Sequence, residues 1–261
     1  MKPLAEFPRD TAGNIRGVLL DIDDTLTTEG KLTASAYSAL EALKQSGKIV
    51  IPVTGRPAGW CDHIARMWPV DGVVGENGAF YFAYDHAARK MRQRFVADAG
   101  ERAQRKMQLR EIGERILREV PGTAWASDQG YREADIAIDF CEDVPPLPRG
   151  EVARIAALME QAGLTAKISS IHVNGWFGGY DKLSTTRLAF KELFAIDLDR
   201  EKERFVFVGD SPNDAPMFAW FPYSVAVANI RDLIDLVPTP PAFVTERRCG
   251  DGFTELASLL A

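Results

Sequence analysis

Asp21 and Asp23 lie two positions apart at the end of the apolar run IRGVLLDI, residues 15 to 22, and Asp210 and Asp214 follow a second such run, RFVFVG, at 204 to 209. A buried strand that ends in acidic residues delivers them into the loop at its carboxyl end, where a turn can aim neighbouring carboxylates into one cleft. Carboxylates crowded there repel one another. A divalent cation, a phosphoryl group with its counterions, or a shared proton would each make the crowding useful. Taken alone, the first pair is equally well read as a solvated acidic turn. Both pairs together favour an oxygen-ligand metal site, most naturally Mg2+ with Mn2+ as the alternative, over a Cys or His zinc site. Asp24 can face solvent and is given no role.

The elements around these acids read as alternating strands and helices. Ala36, Leu40 and Leu43 recur at helical spacing in 33 to 46, and Gly47 is a natural C′ residue. KIVIPV at 48 to 53 is a second buried strand with TGRP as its exit loop, and Pro57 can open the next helix. GVV at 72 to 74 runs into a hairpin whose Asn77-Gly78 suits positive φ. Residues 89 to 118, with ten Lys or Arg against four Asp or Glu, are expected to be helical over the stretch with Met107, Ile112, Ile116 and Leu117, although Gly113 weakens it. ADIAIDF at 134 to 140 alternates like a strand, a second amphipathic helix follows PPLPRG, and short strands are expected at 165 to 168 and 170 to 174. A helix over 181 to 194, strands at 204 to 209 and 224 to 228, and a closing helix complete an open α/β sheet. The middle block is read as a separable insertion, giving core 1–83, inserted α+β unit 84–178 and core 179–261.

In order along the chain, DIDDT, VTGR, the lysine of YDKL and GDSPND resemble the four motifs of the haloacid dehalogenase-like hydrolase superfamily, and the insertion between the second and third resembles the Cof-type group, subfamily IIB. The resemblance implies a Rossmann-like parallel-sheet core with helices on both faces, a C2-type cap and phosphatase activity, with sugar-phosphate phosphatases among the relatives. It implies that Asp21 is the nucleophile that becomes an aspartyl phosphate and Asp23 the acid and base. Thr54, with Gly55 and Arg56 beside it, and Asn213 would meet the phosphoryl group, and Lys182 would supply a positioning cation. Asp21, the backbone carbonyl of Asp23 and Asp210 would hold the metal, with Asp214 nearby. Read without the resemblance, Thr54 is equally a helix-capping hydroxyl and Lys182 an exposed helical lysine. Leu183 stands where many relatives have Gly, and NI at 229 to 230 where they often have NA, so no narrow subgroup is selected.

Substrate recognition is expected from the insertion. Arg132, Lys167, His172, Asn174 and Trp176 lie at strand ends or turns and could meet the hydroxyls and faces of a sugar or polyol, although packing is at least as common a role for each. The chain has 261 residues, 46% of them hydrophobic, and formal charge -6, enough for a core and unlike a nonspecific polyanion binder. The local basic run is read first as a solvated helix and second as a funnel for an anion. Three widely separated cysteines, no secretory pattern and no membrane-length apolar run lead to the expectation of a cytoplasmic protein with no membrane and no specific nucleic-acid partner. Its oligomeric state is left open. The expected function is hydrolysis of a small phosphorylated metabolite, a sugar phosphate by preference. A phosphotransferase using the same intermediate, or a nonenzymatic phosphate- or polyanion-binding module, are the alternatives.

Overall fold

A computed structural model describes residues 1–261. Short, almost wholly apolar strands build the core. In chain order the first elements are β1 (Lys2–Pro3), α1 (Arg9–Asn14), β2 (Gly17–Leu20), α2 (Ala34–Gln45), β3 (Ile49–Pro52), α3 (Ala58–Met67), β4 (Val73–Gly75), β5 (Phe80–Asp85) and β6 (Lys90–Phe95). Then come α4 (Ala99–Glu119), β7 (Ala124–Trp125), β8 (Asp135–Asp139), α5 (Arg149–Gln161), β9 (Thr165–Ile168) and β10 (His172–Trp176). The chain closes with α6 (Lys182–Phe194), α7 (Leu198–Glu201), β11 (Phe205–Gly209), α8 (Ala215–Trp220), β12 (Val225–Ala226), β13 (Phe243–Val244) and α9 (Cys249–Leu260).

The main sheet is parallel throughout, in the order β1-β13-β12-β11-β2-β3. Val18 and Leu20 point to one face, where α2 and α9 bury Leu40, Leu43, Phe253 and Leu256; Leu19 points to the other, against Phe190 of α6 and Phe218 of α8. Burial on both faces is what makes these strands continuous apolar runs. Because β2 and β11 are neighbours in parallel, the loops carrying Asp21 and Asp210 leave the sheet side by side at its carboxyl edge, the usual place for a ligand in such a fold. A second, antiparallel sheet, β7-β8-β10-β9, forms an α+β cap with α4 and α5 on its outer face. Ile136, Ile138 and Val173 point to those helices, and Asp135, Asp139, His172 and Asn174 therefore point the other way, toward the core.

Three sequence expectations are corrected. The basic run is not one helix: Lys90–Phe95 is an edge strand paired antiparallel with β5, and the helix begins only at Ala99, where the Asp98 side chain accepts from the Glu101 N–H. A charged edge strand shows no apolar alternation because most of its side chains meet water. The second cap strand starts two residues later than expected, since Ser169 and His172 close a turn first. Pro57 stands one residue ahead of α3, whose first N–H is met instead by Glu76. The basic residues of α4 fit the solvated reading: Arg105, Arg110 and Arg115 pair with Glu101, Glu114 and Glu119 one turn away. No helix is long and apolar enough to cross a membrane.

The turn between β4 and β5 holds Glu76, Asn77 and Gly78 all at positive φ. At Gly78, with φ of 106°, an added Cβ would lie 2.1 Å from the Asp181 carbonyl oxygen, directly before Lys182. Gly78→Ala is expected to cost about 2–4 kcal/mol in urea unfolding, through backbone strain and a clash that only main-chain movement relieves. A loss below about 0.5 kcal/mol, the usual range for a surface substitution, would contradict this close approach.

Candidate active site

Lys182 is the first residue of α6, fixed there by a capping box in which Asp181 and Ser184 exchange side-chain and backbone hydrogen bonds. From that position its Nζ donates to Asp21 Oδ1 at 2.8 Å and to Asp214 Oδ1 at 2.7 Å. The other oxygen of Asp214 accepts from the backbone N–H of Asp210 at 3.1 Å, so Asp214 braces both the lysine and the β11 exit loop. Asp210 accepts from Thr25 Oγ1 and from Asn229 Nδ2. All four charged residues are buried.

Burial pushes the Asp21 carboxyl up to about 7 even though Lys182 opposes the shift. Asp210 is driven well above the carboxylate range by burial and then by the charges of Asp21 and Asp214. Burial works against the Lys182 ammonium, but Asp21 and Asp214 more than offset it and keep it charged. Three carboxyl groups share one cation, so ionising all of them would leave uncompensated negative charge. Asp21, Asp210 and Asp214 each bring an oxygen within 4.8 Å of the others. This all-oxygen donor set suits a hard divalent cation, and the unmet charge is the observation that fits one.

Arg56, leaving β3 two residues after Thr54, is the hub of a neighbouring cluster of charges. It donates to both oxygens of Asp23, at 2.8–3.0 Å, to Asp128 at 3.1 Å and to Glu142 at 2.7 Å, and lies over the Trp60 ring. Asp128 and Glu142 belong to the cap, so one guanidinium joins Asp23 of the core to the cap. Burial disfavours the charged guanidinium, but Asp23 and Glu142 hold it well above its usual range. Arg132 makes the reverse connection: from the cap it reaches Asp128, Asp135 and the Gly55 carbonyl. Glu76 completes the seam from the core, accepting from the N–H groups of Ala58, Glu133, Ala134 and Asp135.

Of the residues expected from sequence, Asp21, Asp23, Gly55, Arg56, Arg132, His172, Asn174 and Asn213 line one polar cleft beneath the cap, with Ser169, Ser170 and Ser211. Thr54 is buried beside it, its Oγ1 accepting from the Arg56 N–H. Asn174 Nδ2 donates to Asp135. Two cap candidates are elsewhere. Trp176 is buried in the core–cap seam, stacked on Tyr180 and donating to its carbonyl, because its strand position turns it into the packed interface. Lys167 is exposed on the edge strand β9, in a neighbouring groove that reaches Asn213. Glu76, Asp128 and Glu142 were not singled out by sequence reasoning. The spacing of Asp128 and Arg132, one helical turn, is a signal for that ion pair, whereas nothing local marks Glu142.

Residues 18–101 and 186–237 match the model of a family described as haloacid dehalogenase-like hydrolase. A phosphoglycolate phosphatase of Methanospirillum hungatei is 25% identical over 252 residues, covering 93% of this chain and 95% of the relative. Among solved structures, a Thermoplasma acidophilum protein superposes with a TM-score of 0.68 at 21% identity, over 94% of this chain and 99% of the other. The sucrose-phosphatase of Synechocystis, solved with sucrose and phosphate, superposes with a TM-score of 0.63 at 14% identity, over 94% and 98%. At such identities the likeness to the solved structures is one of fold.

His172 Nε2 sits 2.8 Å from Glu142 Oε2, close in distance though without hydrogen-bond alignment. Burial alone would raise the Glu142 pKa, but His172 and Arg56 together bring it down to about 2 from an ordinary 4.5. Its contribution to stability is therefore complete above pH 4.5 and lost as pH falls toward 2. Glu142→Gln should be about 1–3 kcal/mol less stable than the parent at about pH 6, with the gap closing toward about pH 3. Parallel pH profiles of thermal unfolding would contradict the pairing.

Proposed function

The chain belongs to the haloacid dehalogenase-like hydrolase family, whose model matches just over half of it, and from that premise we propose a magnesium-dependent phosphomonoester hydrolase acting on a small phosphorylated metabolite through an aspartyl-phosphate intermediate. The single observation that carries this reading is Lys182 held between Asp21 and Asp214, with Asp210 alongside, under a polar cleft that also contains Asp23.

Lys182 occupies Oδ1 of Asp21, which leaves Oδ2 to attack phosphorus. The P–O bond to the leaving group breaks as the Asp21–phosphorus bond forms. Asp23 gives the departing oxygen a proton, then takes one from the water that hydrolyses the aspartyl phosphate and restores Asp21. Arg56, bonded to both oxygens of Asp23, fixes the direction of that carboxyl group. Thr54 accepts from Arg56 N–H and keeps its own hydroxyl hydrogen for a phosphoryl oxygen, with Asn213 on the facing side of the cleft. A divalent cation would be held by Asp21, the Asp23 backbone carbonyl and Asp210, and would supply charge that offsets repulsion between phosphate and carboxylate. Asp214 acts through Lys182 and the Asp210 backbone.

The inserted unit is read as a C2-type cap of the Cof-type group, with the core divided around it at 1–83 and 179–261, and the protein as cytoplasmic. A phosphorylated sugar or polyol is the first substrate class, supported by the serine hydroxyls, His172 and Asn174 around the cleft. A short phosphorylated acid is the second. The guanidinium groups of Arg56 and Arg132 in the same cleft favour it, as does similarity to a phosphoglycolate phosphatase.

A panel of phosphate esters containing both classes should release inorganic phosphate with Mg2+ or Mn2+ present and none after chelation. Asp21→Asn should abolish turnover. Asp23→Asn should lower kcat by about 10²–10⁴-fold, the range for loss of a general acid and base. Turnover that survives chelation, or that either substitution leaves undiminished, refutes the chemistry.

A further inference from the structure

α4 meets the cap sheet unevenly. Its second half is drawn in at Gly113, where an added Cβ would lie 1.9 Å from the Trp125 ring, and Leu109 and Ile116 are buried. Nearer its amino end the helix offers Ala103 and Met107, and Met107 remains 68% exposed. A small side chain and an unpacked flexible one leave a gap. The result is a cavity of about 700 Å3 between α4, Trp125 and residues 129–136. That volume is in the range of small-molecule sites, and wet apolar walls of this extent cost stability unless something covers them.

Its chemistry is two-sided. Met107, Leu109, Trp125 and Ile136 form the apolar wall, while Lys106 and Arg110 stand at the rim. Their carboxylate partners are exposed: Glu133 lies 3.7 Å from Lys106 and Glu114 lies 3.0 Å from Arg110. Such surface pairs are weak and open readily to a competing anion. Asp135, at the inner end, is already neutralised by Arg132. A flat apolar body with a negative group fits these walls; a cation would meet two positive side chains first.

The inner end of the cavity is also the wall of the catalytic cleft. Arg132 lines both. On the cleft side its Nη1 donates to the Gly55 carbonyl at 2.9 Å, and it shares Asp128 with Arg56, the residue that holds Asp23.

We propose that this cavity is a second ligand site, for an aromatic anion, and that its occupancy acts on the catalytic cleft through Arg132. The site is independent of the phosphatase reading, since none of its apolar or rim residues takes part in the proposed chemistry. The probe is 8-anilinonaphthalene-1-sulfonate, an aromatic anion whose emission rises on leaving water. Titrated into the full chain it should show one saturable site, unchanged in Asp21→Asn and not displaced by inorganic phosphate. Ala103→Trp, which fills the gap, and the double substitution K106E/R110E, which reverses the rim charge, should each weaken binding by about tenfold or more. In the parent protein, saturating probe should change KM or kcat for p-nitrophenyl phosphate by about twofold or more, and Ala103→Trp should lose that response. Absence of saturable binding, displacement by phosphate, or undiminished affinity in both variants overturns the site. Saturable binding with kinetics unchanged overturns the link through Arg132.

Discussion

One buried ammonium group among carboxylates sets the conditions for the whole active centre. Lys182 satisfies one oxygen each of Asp21 and Asp214, and it cannot neutralise Asp210 as well. A site with this excess of buried negative charge is costly by itself and becomes favourable when a divalent cation enters. The fold supplies the crowding by general means: parallel strands β2 and β11 are neighbours, so both acidic loops must emerge together. It supplies the lysine by a capping box at the start of α6, itself seated against the left-handed turn at Gly78.

Directional polar contacts tie the cap to this centre beside the apolar seam around Trp176. Glu76 reaches from the core to three successive N–H groups at the start of β8, and Arg132 and Arg56 cross the seam in opposite directions around the shared Asp128. Burial raises the Glu76 carboxyl to about 8, although four backbone donors favour its ionised form; Asp135 nearby adds to the upward push and Arg132 opposes it. Contacts of this kind are directional: they hold the cap in one register over the cleft. They also lose much of their value once water enters, so this register depends on the seam staying closed.

How much of this was legible in the sequence follows from the range of each interaction. Strand ends carrying Asp21 and Asp210, the helices at 34–45 and 182–194, and the α+β character of the insertion are local patterns, and a linear reading finds them. β6 was missed because its pairing with β5 leaves mostly charged side chains in water, so no apolar period marks it. Trp176 and His172 both belong to β10, and both are even-numbered residues on the same face. The first ends in packed seam and the second in the cleft, a difference set by what the core places opposite each. Glu142 lies 86 residues from Arg56, a separation at which no spacing rule operates.

The position of Arg56 joins these strands of reasoning. It follows Thr54 and Gly55 in the exit loop of β3 at the polar cleft, and its side chain spends its donors on Asp23, Asp128 and Glu142. Asp23 is therefore held by a cation whose other two carboxylate partners both belong to the cap. Moving the cap away removes two carboxylates from Arg56 and leaves it to Asp23 alone, or to an incoming anion. Closure and orientation of Asp23 are thus one arrangement of charges, and the substrate enters a cleft in which any negative group it carries competes for the same guanidinium.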